Sequence, residues 1–199
     1  MCGIIGYVGQ EQAAPILLQG LFRMEYRGYD SAGVAVWSQE KGLQVKKAKG
    51  RIQVLSDMLH GGADMEGTMG IGHTRWATHG EPSDVNAHPH VSESGNIALV
   101  HNGIIENYTV LRAELENKGY IFRSNTDTEV IVYLVEYIMR TNQVDLCTGV
   151  QLALHQVIGA YAIALMDKSN PNEIIAARKS SPLVVGIGMD EFFLASDAT

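Results

Sequence analysis

Short apolar runs broken by glycine alternate along this chain with stretches in which apolar residues recur every three or four positions. Residues 3–9 (GIIGYVG) and 32–38 (AGVAVWS) show the first pattern and read as buried strands. Between them Ala13, Ala14, Leu17, Leu18, Leu21 and Phe22 recur at helical spacing. Pro15 falls near the start of that helix, where a missing N–H does little harm. Residues 43–49 alternate as a half-exposed strand, and the polar, glycine-bearing stretch 56–68 predicts a loop. Residues 69–75 (MGIGHTR) and 97–101 (IALVH) are further strands, and the stretch 76–96 between them holds little periodicity. A loop that long inside a compact domain is usually functional or disordered. Leu111 and Leu115 mark a helix over 108–118, with Gly119 as its stop signal. Thr126-Asp127-Thr128-Glu129 is a capping-box pattern opening a helix from about 128 to 141, and a second helix covers 145–157. Segments 161–167, 173–178, 183–187 and 192–196 are strand-like. Strands, helix, strands, helices, strands: this order predicts a layered α+β fold with mainly antiparallel sheets rather than regular βαβ winding.

The 199 residues fit one domain, large enough to bury a real core without disulfide or metal staples. A formal net charge of −7 argues against a nucleic-acid or anionic-membrane partner, and no apolar run approaches a membrane span. The first residues carry no basic region followed by an apolar one, so no signal peptide is expected. Two cysteines, Cys2 and Cys147, give no disulfide framework and suggest a reducing, cytoplasmic setting. Cys147 lies in an expected helix and reads as core. Glycine is the unusual count, 21 against 5 prolines, which implies many positions with positive φ or close backbone approach.

Cys2 is the sharpest chemical feature. Removal of the initiator methionine in front of a small residue would free an α-amino group with a reference pKa of about 7.7–8.0 beside a thiol of about 8.5. One residue would then carry both nucleophile and base. Read alone, the plainer reading of Cys2 is a small buried residue that starts a strand. His73-Thr74-Arg75-Trp76-Ala77-Thr78-His79-Gly80 joins a strand end to the long loop. The planar fork of Arg75 matches a carboxylate, and Thr78 and His79 add donors; a surface salt bridge is the plainer reading. His101-Asn102-Gly103 follows a strand, and an Asn amide with a glycine N–H can form an oxyanion hole. Asn-Gly is also a hairpin signal. Asp127 opens a helix and either caps it or meets a ligand ammonium. His73, His79, His88, His90 and His101 invite a metal reading, but their spacings match no common zinc pattern.

Taken together, Cys2–Gly6, Tyr26–Gly33 (YRGYDSAG), His73–Ser83 (HTRWATHGEPS), Asn86–His90 (NAHPH), His101–Asn107 (HNGIIEN) and Thr126–Glu129 (TDTE) resemble the glutaminase domains of glutamine–fructose-6-phosphate aminotransferases. Those domains belong to the class II, N-terminal-nucleophile glutamine amidotransferases, and the resemblance runs through the whole chain. It implies a four-layer αββα sandwich of two antiparallel sheets. It implies Cys2 as nucleophile, Asn102 and Gly103 as oxyanion hole, and Arg75 and Asp127 on the α-carboxylate and α-ammonium of L-glutamine. Thr78 and His79 would line the same site. Arg27 resembles a residue close to the nucleophile's terminus, and Trp76 an indole that gates ammonia passage. No metal or organic cofactor is implied. The resemblance also implies a glutaminase domain over 1–199 that lacks its last strands, with a sugar-phosphate isomerase domain absent and a homodimer at full length. Two other readings compete: the glutaminase domain of an amidophosphoribosyltransferase, and a silent histidine-rich metal-binding module.

Overall fold

Alternation with a period of two sorts the strand side chains between a central core and two outer ones. The computed structural model describes residues 1–198. Among these, ten strands form two antiparallel sheets. The first sheet holds β1 (Gly3–Val8), β2 (Ser31–Ser38), β3 (Gly42–Lys49), β4 (Met69–Arg75), β9 (Val184–Ile187) and β10 (Phe192–Ala195), in the order β3-β2-β4-β1-β10-β9. The second holds β5 (His90–Val91), β6 (Ile97–Ile105), β7 (Gly159–Asp167) and β8 (Ile175–Lys179) in sequential order.

Ile4, Ala35, Met69 and Ile71 of the first sheet meet Ala98, Val100, Ala162, Ala164 and Met166 of the second. The four alanines among them let the two sheets approach closely. The neighbouring positions point outward. Ile5, Tyr7, Val34 and Val36 pack with α1 (Ala13–Arg23) and α2 (Ile52–Met58). Ile97, Leu99, Ile163 and Leu165 pack with α3 (Tyr108–Asn117), α4 (Asp127–Asn142) and α5 (Leu146–Gln156). The result is the expected αββα sandwich. Among the described residues no helix is long and apolar enough to cross a membrane.

Four local expectations change. The loop expected over 56–68 begins instead with the end of α2 and a 3-10 turn at His60–Gly62, because Ile52, Leu55 and Leu59 bury one face of a helix that starts earlier. Inside 76–96, the two-residue strand β5 is too short to leave a periodic signal. Strand β6 runs past 101 to Ile105, so Asn102 and Gly103 lie in a paired strand opposite Ala162 and Tyr161, not in a turn. Cys147 lies on α5 as expected but is exposed, not core.

Candidate active site

Strand pairing alone brings the end of β4 and the start of β2 to Cys2. Gly3 is registered against Thr74 of β4, and Ser31 at the start of β2 against Arg75 at the end of β4. Cys2 therefore sits where β4 runs out into the segment Trp76–Gly80. The second sheet faces this point with Asn102 of β6.

A cavity of about 290 Å³ opens there. Cys2, Arg27, Arg75, Trp76, Thr78, His79, Asn102, Gly103 and Asp127 all line it, so the residues singled out from the sequence come together. It is lined as well by His88, His101, Thr126, Thr128, Ser181 and Pro182. The histidines and threonines fall in motif blocks but carried no assigned part, and the 181–182 loop gave no sequence signal at all.

The Cys2 sulfur accepts a hydrogen bond from the Trp76 amide at 3.2 Å. Burial pushes the thiol pKa up, and the Trp76 amide, the positive chain terminus and Arg75 oppose that only in part. The thiol thus needs a base to ionise at neutral pH. The Cys2 carbonyl accepts from Asn102 Nδ2 at 3.1 Å and from Arg27 Nη1 at 3.3 Å. Arg27 is anchored by Asp197 at 2.7 Å, and its carbonyl accepts from the Met1 ammonium at 3.1 Å.

Asn102 cannot turn over freely. His73 Nε2 lies 2.9 Å from Asn102 Oδ1 and 3.0 Å from the His101 carbonyl oxygen. Both neighbours only accept, so Nε2 carries the proton and Asn102 must direct its NH₂ toward Cys2. Burial drives the His73 pKa down to about 3, which keeps the ring neutral. The same logic runs through the next ring. His88 Nδ1 accepts from the His101 amide at 3.3 Å, so His88 Nε2–H donates to Thr128 Oγ1 at 3.3 Å. The Thr128 hydroxyl then donates to His101 Nδ1 at 2.9 Å, leaving a protonated His101 Nε2 without a protein partner. Among the described residues, no group of three or more His, Cys, Asp and Glu side chains is placed to hold a metal ion.

Gly103 needs to be glycine. Its φ is +114°, and a Cβ would lie 2.1 Å from the Ala160 carbonyl oxygen across the β6–β7 ladder.

At the other end of the cavity, Arg75 Nη2 donates to the carbonyls of His79 and of Gly80 (2.9 Å), and Nη1 to Glu81 at 3.3 Å. Asp30 Oδ1 stands 3.9 Å from Arg75 Nη1, and Asp30 Oδ2 accepts from the Ala77 amide at 2.5 Å. Asp30 belongs to a quoted motif, but nothing in its spacing told of this bracing. Asp127 is the first residue of α4 and is buried, with Oδ2 accepting from the Ile105 amide at 2.9 Å. Thr126 caps the helix through Glu129 N, as the motif predicts. Glu129 reaches back to the amides of Arg123 and Ser124 rather than to Thr126, closing a wider box. The arrangement has a fixed cation, a fixed anion, and a thiol flanked by amide donors. It can hold a zwitterion at one end and act on an uncharged group at the other.

Residues 73–199 match a family model described as a glutamine amidotransferase domain. The chain is 65% identical over 199 residues to a glutamine–fructose-6-phosphate aminotransferase (isomerizing) of Bacteroides thetaiotaomicron, and 55% identical over 197 residues to one of Caldanaerobacter subterraneus subsp. tengcongensis. These alignments take in 100% and 99% of the chain but 32% of each relative, so the chain spans about a third of their length. Among solved structures, a glutamine phosphoribosylpyrophosphate amidotransferase from B. subtilis superimposes with a TM-score of 0.84 at 31% identity, over 98% of this chain and 42% of that one. With the cavity at Cys2 and the αββα frame in place, the match over 73–199 identifies the chain as a member of the glutamine amidotransferase domain family.

Proposed function

We propose that this domain hydrolyses L-glutamine to glutamate and ammonia through a γ-glutamyl thioester on Cys2. The observation that carries the reading is the single cavity in which Cys2, Asn102, Gly103, Arg75 and Asp127 meet. Arg75 takes the α-carboxylate and Asp127 the α-ammonium, with Thr78 and His79 closing the same end. The side-chain amide then lies over the Cys2 sulfur. The Cys2 thiolate attacks the amide carbon, and the oxyanion that forms is met by Asn102 Nδ2 and the Gly103 amide. The C–N bond breaks, ammonia leaves with a proton returned by the base, and water cleaves the thioester to release glutamate. This chemistry uses no metal or organic cofactor. Glutamate is a poor substrate because it would set a charge against the thiolate.

The base is the α-amino group of Cys2, which exists only once Met1 is removed; with Met1 attached that nitrogen is an amide. Arg27 holds this terminus in place and Trp76 gates the departure of ammonia. The names of the curated relatives favour delivery of that ammonia to fructose 6-phosphate, giving glucosamine 6-phosphate. The acceptor chemistry then belongs to a sugar-phosphate isomerase domain outside residues 1–199, in a cytoplasmic homodimer. The phosphoribosylpyrophosphate amidotransferase likeness, at 31% identity, supports a shared fold with a different acceptor.

Intact-mass measurement paired with glutamate release tests the reading. Material lacking Met1 should turn over glutamine, and hydroxylamine should trap γ-glutamyl hydroxamate. Cys2→Ala should abolish both products. Turnover with Met1 quantitatively retained would sink the free-amine step, and full activity in Cys2→Ala would sink the thioester.

A further inference from the structure

We infer that Asn86 is a positioning residue that sets the span between Arg75 and Asp127, and so determines how strictly the site demands an α-amino acid. The inference rests on the reading of Arg75 and Asp127 as the two ends of a zwitterion clamp.

The two charged groups come from distant parts of the chain, the end of β4 and the start of α4. The side-chain amide of Asn86 ties the segments that carry them. Asn86 Nδ2 donates to the Glu81 carbonyl at 2.9 Å, and Asn86 Oδ1 accepts from the Asn125 amide at 3.0 Å. The Glu81 carbonyl belongs to the run of three that holds the Arg75 guanidinium. Asn125 stands two residues before Asp127. One planar amide therefore links the Arg75 cradle to the entry of the Asp127 helix, through a donor on one side and an acceptor on the other.

The link is built tightly. Asn86 is 3% exposed. Gly80, at φ +79°, passes so close that a Cβ there would lie 2.7 Å from Asn86 Nδ2. The Asn86 amide donates to Ser83 Oγ at 3.1 Å. Lys47 Nζ, reaching over from β3, donates to the carbonyls on either side of Asn86, Val85 at 3.3 Å and Ala87 at 2.9 Å. An aspartate would keep the acceptor but set a negative oxygen against the Glu81 carbonyl; a leucine would lose both contacts.

A clamp with fixed jaws gains from engaging both charges of one ligand at once, and a clamp with loose jaws loses that gain first. Asn86 variants should thus lose discrimination rather than chemistry. The assay is competition of L-glutamate and of glutarate, which lacks the α-ammonium, against glutamine hydrolysis. In Asn86→Asp and Asn86→Leu the preference for glutamate over glutarate should fall by about fivefold or more, with KM for glutamine rising about tenfold and kcat falling less than about threefold. Lys47→Met should move the same three numbers in the same direction by less, and it carries the test if thermal melting shows that the Asn86 variants do not fold. Folded variants that keep the wild-type preference overturn the inference, as does a fall in kcat with KM and the preference unchanged. A wild-type protein that hydrolyses glutamine yet binds glutarate as well as glutamate overturns the zwitterion clamp itself, and the inference with it.

Discussion

Acid should loosen this protein before its carboxylates titrate, and the cause is a set of buried histidines behind the candidate active site. His73, His88, His90 and His101 are each no more than 4% exposed, and burial lowers the pKa of all four. For His73 the folded value is about 3, against about 6.5 for an unfolded imidazole. Its ring stacks on His88 at 4.0 Å, and its free Nδ1 has no acceptor to receive a new proton. As pH falls below about 6.5 the unfolded chain takes up protons that the folded chain refuses, so stability falls with falling pH over that window. At pH 5, one and a half units below the unfolded pKa, the refused proton costs about 2 kcal/mol at His73. That is a large share of a typical domain stability of about 5–15 kcal/mol, and burial of the three neighbours acts in the same direction. Urea unfolding at pH 7.5, 6 and 5 should show a loss of at least about 2 kcal/mol, matched by about one proton or more taken up on unfolding. A loss below about 1 kcal/mol, or ring proton resonances of these histidines titrating near pH 6.5 in the native state, would refute the argument.

Three further outcomes follow from the same geometry. Asn102→Ala should lower kcat by about 10²–10³ with a smaller effect on KM, and His73→Phe should lower kcat in the same sense by freeing the Asn102 amide to turn; steady-state glutamate release checks both. Gly103→Ala should cost folding stability as well as turnover, since a Cβ would lie 2.1 Å from the Ala160 carbonyl at a φ of +114°, and a thermal melt alongside the activity assay reads both losses. Cys147→Ala should leave glutamine turnover largely intact, since Cys147 lies exposed on α5 and is not among the residues that line the cavity, and steady-state glutamate release checks it.

Much of the frame could be read from periodicity because the sandwich buries both sheets. The glycine-broken apolar runs at 3–9 and 69–75 became adjacent strands β1 and β4, and the helical spacing from Ala13 to Phe22 became the helix that covers them. Periodicity failed where burial is intermittent. Helix α2 presents only Ile52 and Leu55 to the core, and β5 holds two residues. The motif blocks named every residue assigned to the cavity. They could not show the bracing, because that depends on contacts distant in sequence. Asp30 meets the Ala77 amide, Lys47 spans to the carbonyls beside Asn86, and Asn86 meets Asn125. Nothing local to any of these positions marks its partner. The Asn-Gly pair shows the reverse failure, a strong local turn signal overridden by the β6–β7 ladder.

The buried histidines bind the stability and the chemistry of this site together. A ring that must donate to Asn102 Oδ1 and to the His101 carbonyl has to sit between the two sheets, because Asn102 comes from one sheet and Cys2 from the start of β1 in the other. That position is dry, so the ring must stay neutral. A neutral ring has one donor to give, and His73 spends it on the contact that turns the Asn102 amide toward Cys2. The stack of His73 on His88, with Thr128 passing the network on to His101, extends the same constraint to the helix that begins at Asp127. The acid sensitivity is therefore a consequence of the orientation of Asn102. A substitution that relieved it at His73 would free the amide as well, and gains in acid stability there should come with losses in kcat.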